Sequence, residues 1–235
     1  MSKIKFIREE EKKYHDFCYE NYKLFEEGSW LYKPVKTVMD LLPFFQDKRN
    51  LSVLDLGCGV GRNSIPIAKE IKNKEGSVVC VDLLSSAIEK LGHYSKEYGV
   101  EDVIELVKAD IEHYQIMKNH FDFIVAVSSI EHVSSELVFD KVVEGMAQGT
   151  KKEGINCIIV NSEVSETDME TNEKLDALME INLKTEDMLN KLNHFYKGWK
   201  VINQLVKPLE YEIIRNGRNI LLKTNAITYV VRKIY

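Results

Sequence analysis

The chain alternates short, β-branched apolar runs with segments whose apolar residues recur at three- and four-residue spacing, the pattern of strands buried between helices. The first run, Leu51-Ser52-Val53-Leu54-Asp55-Leu56, stops in a glycine-rich loop. A helical stripe of Ile65, Ile67, Ala68 and Ile71 follows, with Pro66 in its first turn, where no N–H partner is lost. Further strands are predicted over 77–82, 103–109, 121–128 and 155–160, with a helix from Ser134 or Ser135 through Met146 between the last two. Thr185-Glu186-Asp187 opens another helix, which Gly198 closes. A strand over 199–206 follows. Asn216-Gly217 signals a hairpin turn, flanked by Tyr211, Ile213 and Ile214 before it and Ile220, Leu221 and Leu222 after it, and a last strand covers 227–232. Ahead of the first strand, one helix is expected from about Arg8 to Glu27 and a second from Pro34 toward Phe45. The acidic stretch 163–187 has no clean strand pattern. Leu175, Leu178, Met179 and Leu183 hint at a helix there, so it reads as a mobile cover beside a site or as a solvated linker.

At 235 residues the chain can bury a good core as one compact unit, divided here into a helical cap over 1–47 and an α/β domain over 48–235. The balance of 32 basic against 37 acidic residues, a net −5, argues against a protein that grips a phosphate backbone. Four cysteines, with no C-x-x-C pair, read as reduced buried thiols, and no apolar run is long enough to span a bilayer. A cytoplasmic protein, monomer or homodimer, is expected.

The chemistry gathers where strands end. Gly57, Gly59 and Gly61 remove side chains at alternate positions, so backbone can bend sharply and approach a ligand, and the next helix points free N–H groups at it. A dinucleotide fingerprint would need a third glycine at 62 or 64, where Arg62 and Ser64 stand, so an NAD-linked oxidoreductase is the weaker reading. Asp82 closes the second strand, where one carboxylate suits two ribose hydroxyls, and Asp110 closes the third.

Asp55-x-Gly57-x-Gly59-x-Gly61 resembles the first motif of the class I S-adenosylmethionine-dependent methyltransferases. That resemblance implies a Rossmann-like α/β fold: a mostly parallel seven-stranded sheet with an antiparallel last strand and helices on both faces. It implies S-adenosyl-L-methionine as cofactor and S-adenosyl-L-homocysteine as product. It places Asp55, Gly57, Gly59, Gly61, Arg62 and Asn63 around the methionine and ribose portions, Asp82 and Leu83 at the ribose, Asp110 and Ile111 at the adenine, and Ser128 near the transferred methyl. Helices ahead of the first strand usually form a variable cap in that family. Tyr14, Tyr19, Tyr22, Trp30 and Tyr32 are therefore candidates to enclose a sulfonium or wall the acceptor pocket, with core packing as the alternative for each.

Within the superfamily, Gly57-Cys58-Gly59-Val60-Gly61-Arg62-Asn63-Ser64 is similar to the tellurite-resistance methyltransferase group. The tail, with Phe195-Tyr196-Lys197-Gly198-Trp199, Asn216-Gly217-Arg218-Asn219-Ile220 and 226–233, agrees. Where that group has a His-Arg pair before the hairpin, this chain carries Tyr211-Glu212, so tellurite activity is not carried over. Glu131-His132-Val133 resembles the segment after the fourth strand in quinone-pathway O-methyltransferases. His132 is a candidate general base or substrate contact, and Tyr14 a second catalytic candidate. Relatives that hold a divalent cation there use further Glu or His residues; Ser128 stands three before Glu131, so no metal is expected. With only Pro34, Pro43, Pro66 and Pro208, the chain lacks the proline-containing motifs of nucleic-acid methylating enzymes. The expectation is methyl transfer to a small-molecule acceptor, without nucleic-acid or membrane partners. The alternatives are the oxidoreductase and a non-catalytic S-adenosylmethionine-binding regulator.

Overall fold

A computed structural model of the chain describes residues 3–215 and 217–235; Asn216 of the expected hairpin turn lies outside the described residues. The helices are α1 (Lys3–Asn21), α2 (Lys36–Leu41), α3 (Ser64–Ile71), α4 (Ser85–Glu97), α5 (Glu136–Gly149) and α6 (Thr185–Phe195). The strands are β1 (Ser52–Leu56), β2 (Ser77–Asp82), β3 (Ile104–Lys108), β4 (Phe121–Val127), β5 (Thr150–Asp168), β6 (Lys174–Leu175), β7 (Lys200–Arg215) and β8 (Arg218–Arg232). They form one sheet in the order β3-β2-β1-β4-β5-β8-β7, with the two-residue β6 paired to β5. The strands β1 to β5 run parallel, and β8 is antiparallel to both β5 and β7. This is the expected Rossmann-like sheet with one short strand added.

Strand side chains alternate between two cores. Val53, Cys80, Phe123 and Val125 face α3, α4 and the N-terminal helices, whereas Leu54, Leu56, Ile124 and Ala126 face α5 and α6. Because both faces are covered, β1 is buried at every position, Asp55 included. The strand order reverses between β1 and β4, and a crevice opens beyond the carboxyl ends of strands at such a point. The loops following β1 to β4 all meet there.

Several predicted boundaries move. The first helix spans α1, not 8–27: Asn21 turns its amide back to the Phe17 carbonyl (2.8 Å), and Leu24 N–H leaves the helical ladder for the Tyr94 hydroxyl (3.1 Å). The second helix begins at Lys36 and tightens into a 3-10 turn, Leu42–Phe45, because Pro43 has no N–H to continue the α ladder.

The segment 163–187 holds no helix before Thr185. Instead β5 runs on through Asp168, with Ser162, Val164, Glu166 and Asp168 buried at alternate positions. Three of those four are polar, so a period-2 face is present that hydrophobicity does not show. Glu166 is ion-paired with Arg215, and Asp168 accepts from the N–H groups of Glu170 (2.9 Å) and Thr171 (3.1 Å) to turn the chain. Likewise β7 and β8 are each continuous rather than broken, and Pro208 is tolerated because β7 is an edge strand. All four cysteines are buried free thiols, and no helix among the described residues is long and apolar enough to cross a membrane.

Candidate functional site

The loop between β1 and α3 takes positive φ at Gly57 (74°), Gly59 (54°) and Gly61 (93°). A Cβ at Gly57 would lie 2.3 Å from Ser129 Cβ, so at that position side-chain space as well as dihedral freedom demands glycine. The loop is tied to β2 by Gly57 and Cys58 N–H groups, both donating to the Val81 carbonyl (2.8 and 3.0 Å). Asp55 lies under it, and its Oδ2 accepts from Ser64 Oγ (2.6 Å) at the start of α3. Burial drives the Asp55 carboxyl up to about 6, an effect that the Ser64 hydrogen bond reduces.

Asp82 spans the loop and the next helix. One of its oxygens accepts from Gly59 N–H (2.8 Å) and the other from Leu84 N–H (2.9 Å). Burial raises its pKa, and these backbone donors oppose the rise. Each carboxylate oxygen has a further lone pair, so the group retains capacity for ribose hydroxyls. Leu83 beside it is exposed. Asp110 accepts from Glu112 N–H (3.0 Å) on one oxygen and from Arg8 Nη1 (3.1 Å) on the other, and Ile111 packs against the core beneath α5. Ser128 takes φ +49° at the end of β4, within 3.4 Å of Asn161 Nδ2.

Thus Gly57, Gly59, Gly61 and Asp82 gather beyond the carboxyl ends of β1 and β2, with Asp110 and Ser128 just past the ends of β3 and β4, while Ser129, the Tyr19 hydroxyl and Leu91 occupy the space beside the three glycines. Arg62 and Asn63 belong to the same loop but point elsewhere. Arg62 donates to the Trp30 carbonyl (2.9 Å) and stacks over its ring, while Asn63 Oδ1 accepts from Val35 N–H (2.9 Å). Both side chains fasten the N-terminal segment to the loop.

The helix α1 lies across this edge of the sheet. Tyr19 is buried, and its hydroxyl would meet a Cβ placed on Gly59 at 3.1 Å. Asp16 accepts from Ser86 Oγ at the start of α4. Arg8 pairs with Asp110 and with Glu112, and Glu112 in turn accepts from Ser134 N–H (2.8 Å) and Oγ (2.6 Å). His15 packs edge-on against Trp30 (5.8 Å), and burial, followed by the charge of His132, pushes it down to about 4. Tyr14, the second catalytic candidate, is half exposed on the outer side of that aromatic group, 5.6 Å from the His15 ring centre.

His132 sits in a short 3-10 turn, Ile130–His132, after β4. Its Nδ1 lies 2.7 Å from Glu11 Oε1 on α1 and 3.0 Å from Glu180 Oε2. Burial lowers its proton affinity, but the two carboxylates more than offset that and hold it well above the ordinary imidazole range. A protonated ring at neutral pH suits a donor or contact better than a base. Neighbouring Glu131 is fully buried, and its Oε1 accepts from Asn161 N–H and Nδ2 (both 2.9 Å), tying the turn to β5.

Arg8, Glu11, Glu112 and Glu180 had no signal in the sequence. They fall in charged, surface-like stretches, and only the docking of α1 brings them together.

Residues 53–154 match the family model of the methyltransferase domain. A ubiquinone biosynthesis O-methyltransferase from Rickettsia canadensis is 32% identical over 114 residues, which is 48% of this chain and 44% of that protein. The chain spans less than half the length of the curated relatives it matches. The crystal structure of TehB from Haemophilus influenzae superposes with a TM-score of 0.58 at 21% identity, covering 83% of this chain and 62% of that one. N-methyltransferase NodS from Bradyrhizobium japonicum WM9, in complex with S-adenosyl-L-homocysteine, superposes with a TM-score of 0.58 at 12% identity, covering 96% of this chain and all of that one. The shared fold is that of the Rossmann-like methyltransferases.

Proposed function

We propose, on the premise of a methyltransferase domain over residues 53–154, that this chain binds S-adenosylmethionine beyond the carboxyl ends of β1 to β4 and transfers its methyl group to a small-molecule acceptor. The observation that carries the reading is the loop itself, with positive φ at Gly57, Gly59 and Gly61 and Gly59 N–H donating to Asp82 from the next strand. The glycine-rich turn would present its backbone to the methionine and ribose portions. Asp82 has lone pairs free for the ribose, Leu83 flanks it, and the family resemblance assigns Asp110 and Ile111 to the adenine. Asp55, through Ser64, fixes the angle between β1 and α3 and is a positioning residue.

When bound, the cofactor supplies an electrophilic methyl whose in-line displacement disperses charge, so alignment in a dry pocket is the main requirement. In this reading residues 1–47 form the cap, and His15 and Tyr19 of α1 supply the dry wall together with Trp30 from the turn that follows. With Nδ1 held between carboxylates, His132 has its other ring nitrogen left to meet the acceptor. TehB among the structural neighbours supports grouping with the tellurite-resistance type at the level of the fold. Tyr211-Glu212 keeps tellurite itself out of the reading.

Calorimetry of the full chain with S-adenosylmethionine and S-adenosylhomocysteine tests this. Saturable binding is expected, weakened by Asp82→Ala at least about tenfold, about 1.4 kcal/mol. No binding of either at roughly millimolar concentration would refute the reading. Binding without methyl release on an acceptor panel would assign the chain to non-catalytic regulators instead.

A further inference from the structure

The carboxylates around His132 outnumber the cations available to them. Glu11 and Glu180 meet one imidazole, Glu131 adds its charge nearby, and Arg8, the guanidinium beside Glu180, is shared with Asp110 and Glu112. Glu180 and Glu131, both with fully buried carboxylates, each keep one oxygen without a hydrogen-bond partner, Glu180 Oε1 and Glu131 Oε2. The closest cationic atom to Glu180 Oε1 is Arg8 Nε at 3.8 Å, itself buried and without a hydrogen-bond partner. Buried carboxylate oxygens left in this condition cost stability unless something positive reaches them.

We propose that Glu11, His132 and Glu180 form a binding site for a first-row divalent cation that clasps α1 to the turn after β4 and to the segment between β6 and α6. One donor atom from each of the three residues lies within 4.8 Å of the others, and the Nδ1 contacts are 2.7 and 3.0 Å. Imidazole nitrogen and carboxylate oxygen sit about 2.0–2.2 Å from such an ion, so adjacent ligand atoms around it are about 3–3.5 Å apart. The two contacts at Nδ1 need open by only a few tenths of an ångström.

One neutral imidazole with two carboxylates is a donor set for manganese or zinc rather than for magnesium. Binding displaces the proton from Nδ1 to solvent and leaves one more positive charge in the cluster than the imidazolium supplies. Water would complete the shell, His132 and Glu11 being partly exposed. Glu131 is outside the ligand set, because Oε1 is committed to Asn161, but its charge favours the ion. Neither Glu11 nor Glu180 belongs to the Glu131-His132-Val133 motif, so the missing ligand at Ser128 is not required.

The test is a titration of the metal-free full chain with manganese(II) alone, following loss of the free-ion paramagnetic resonance signal. One saturable ion per chain is expected. Glu180→Gln and Glu11→Gln should each weaken it at least about tenfold, while Glu163→Gln, on the exposed face of β5, should leave it unchanged. If Glu180→Gln fails to fold, Glu11→Gln decides, since Glu11 is at the helix surface. Absence of a saturable ion, or unchanged binding by Glu11→Gln, would overturn the proposal. No cofactor takes part, so the result stands apart from the methyl-transfer reading.

Discussion

Among single residues, Asp55 shows how a buried acid can be read in two ways. Its place before the glycine loop marks it as part of a motif, while its contacts make it a buried carboxyl bonded to Ser64 Oγ. Because burial lifts its pKa from 3.8 to about 6, the folded state binds more protons than the unfolded state between those values. Stability must therefore fall as pH rises through that window and level off above it, by an amount on the order of 3 kcal/mol. Asp55→Asn, whose carbonyl can still accept from Ser64, should gain stability relative to the native chain on going from about pH 4 to about pH 7. Urea denaturation at both pH values checks this, and parallel changes in the two proteins would show that Asp55 is not the source. Gly57 is the simpler case: its motif position predicted a bend, and the 2.3 Å approach to Ser129 shows why no other residue fits.

Among elements, α1 decides what the site looks like. Its sequence announces a helix, with apolar positions at helical spacing, but not what it covers. Its docking rests on Arg8 to Asp110 and Glu112, Asp16 to Ser86, and Glu11 to His132. Arg8→Ala removes the shared cation, while Glu112 keeps Ser134 and Asp110 keeps the Glu112 N–H. A charge-assisted contact of this kind is worth about 1.5–3 kcal/mol, so amide exchange across α1 should accelerate at least about tenfold with β1 and β4 unchanged. Equal protection of α1 in both proteins would mean that its apolar face alone holds it. The strands divide the same way. Those with apolar runs, β1, β2 and β4, were legible, whereas the outer half of β5 was not, because its buried face carries Ser162, Glu166 and Asp168.

For the whole molecule, the net charge of −5 sets which partners can approach. Without a surplus of cations there is little counterion release from a nucleic acid, so a duplex RNA should bind more weakly than about 100 µM at physiological salt in a fluorescence anisotropy titration. Tighter, salt-sensitive binding would move the acceptor away from small molecules. The sequence by itself determined the α/β class, the sheet and the glycine loop with its two acids, because buried parallel strands and tight turns impose residue types that are local in the chain. Only the tertiary structure decided that Arg62 and Asn63 hold the segment carrying Trp30 and Val35 and that Glu11, His132 and Glu180 share one point. Electrostatic complementarity between distant segments leaves no periodicity, since a charged residue on a helix surface reads as solvated until another element is packed over it.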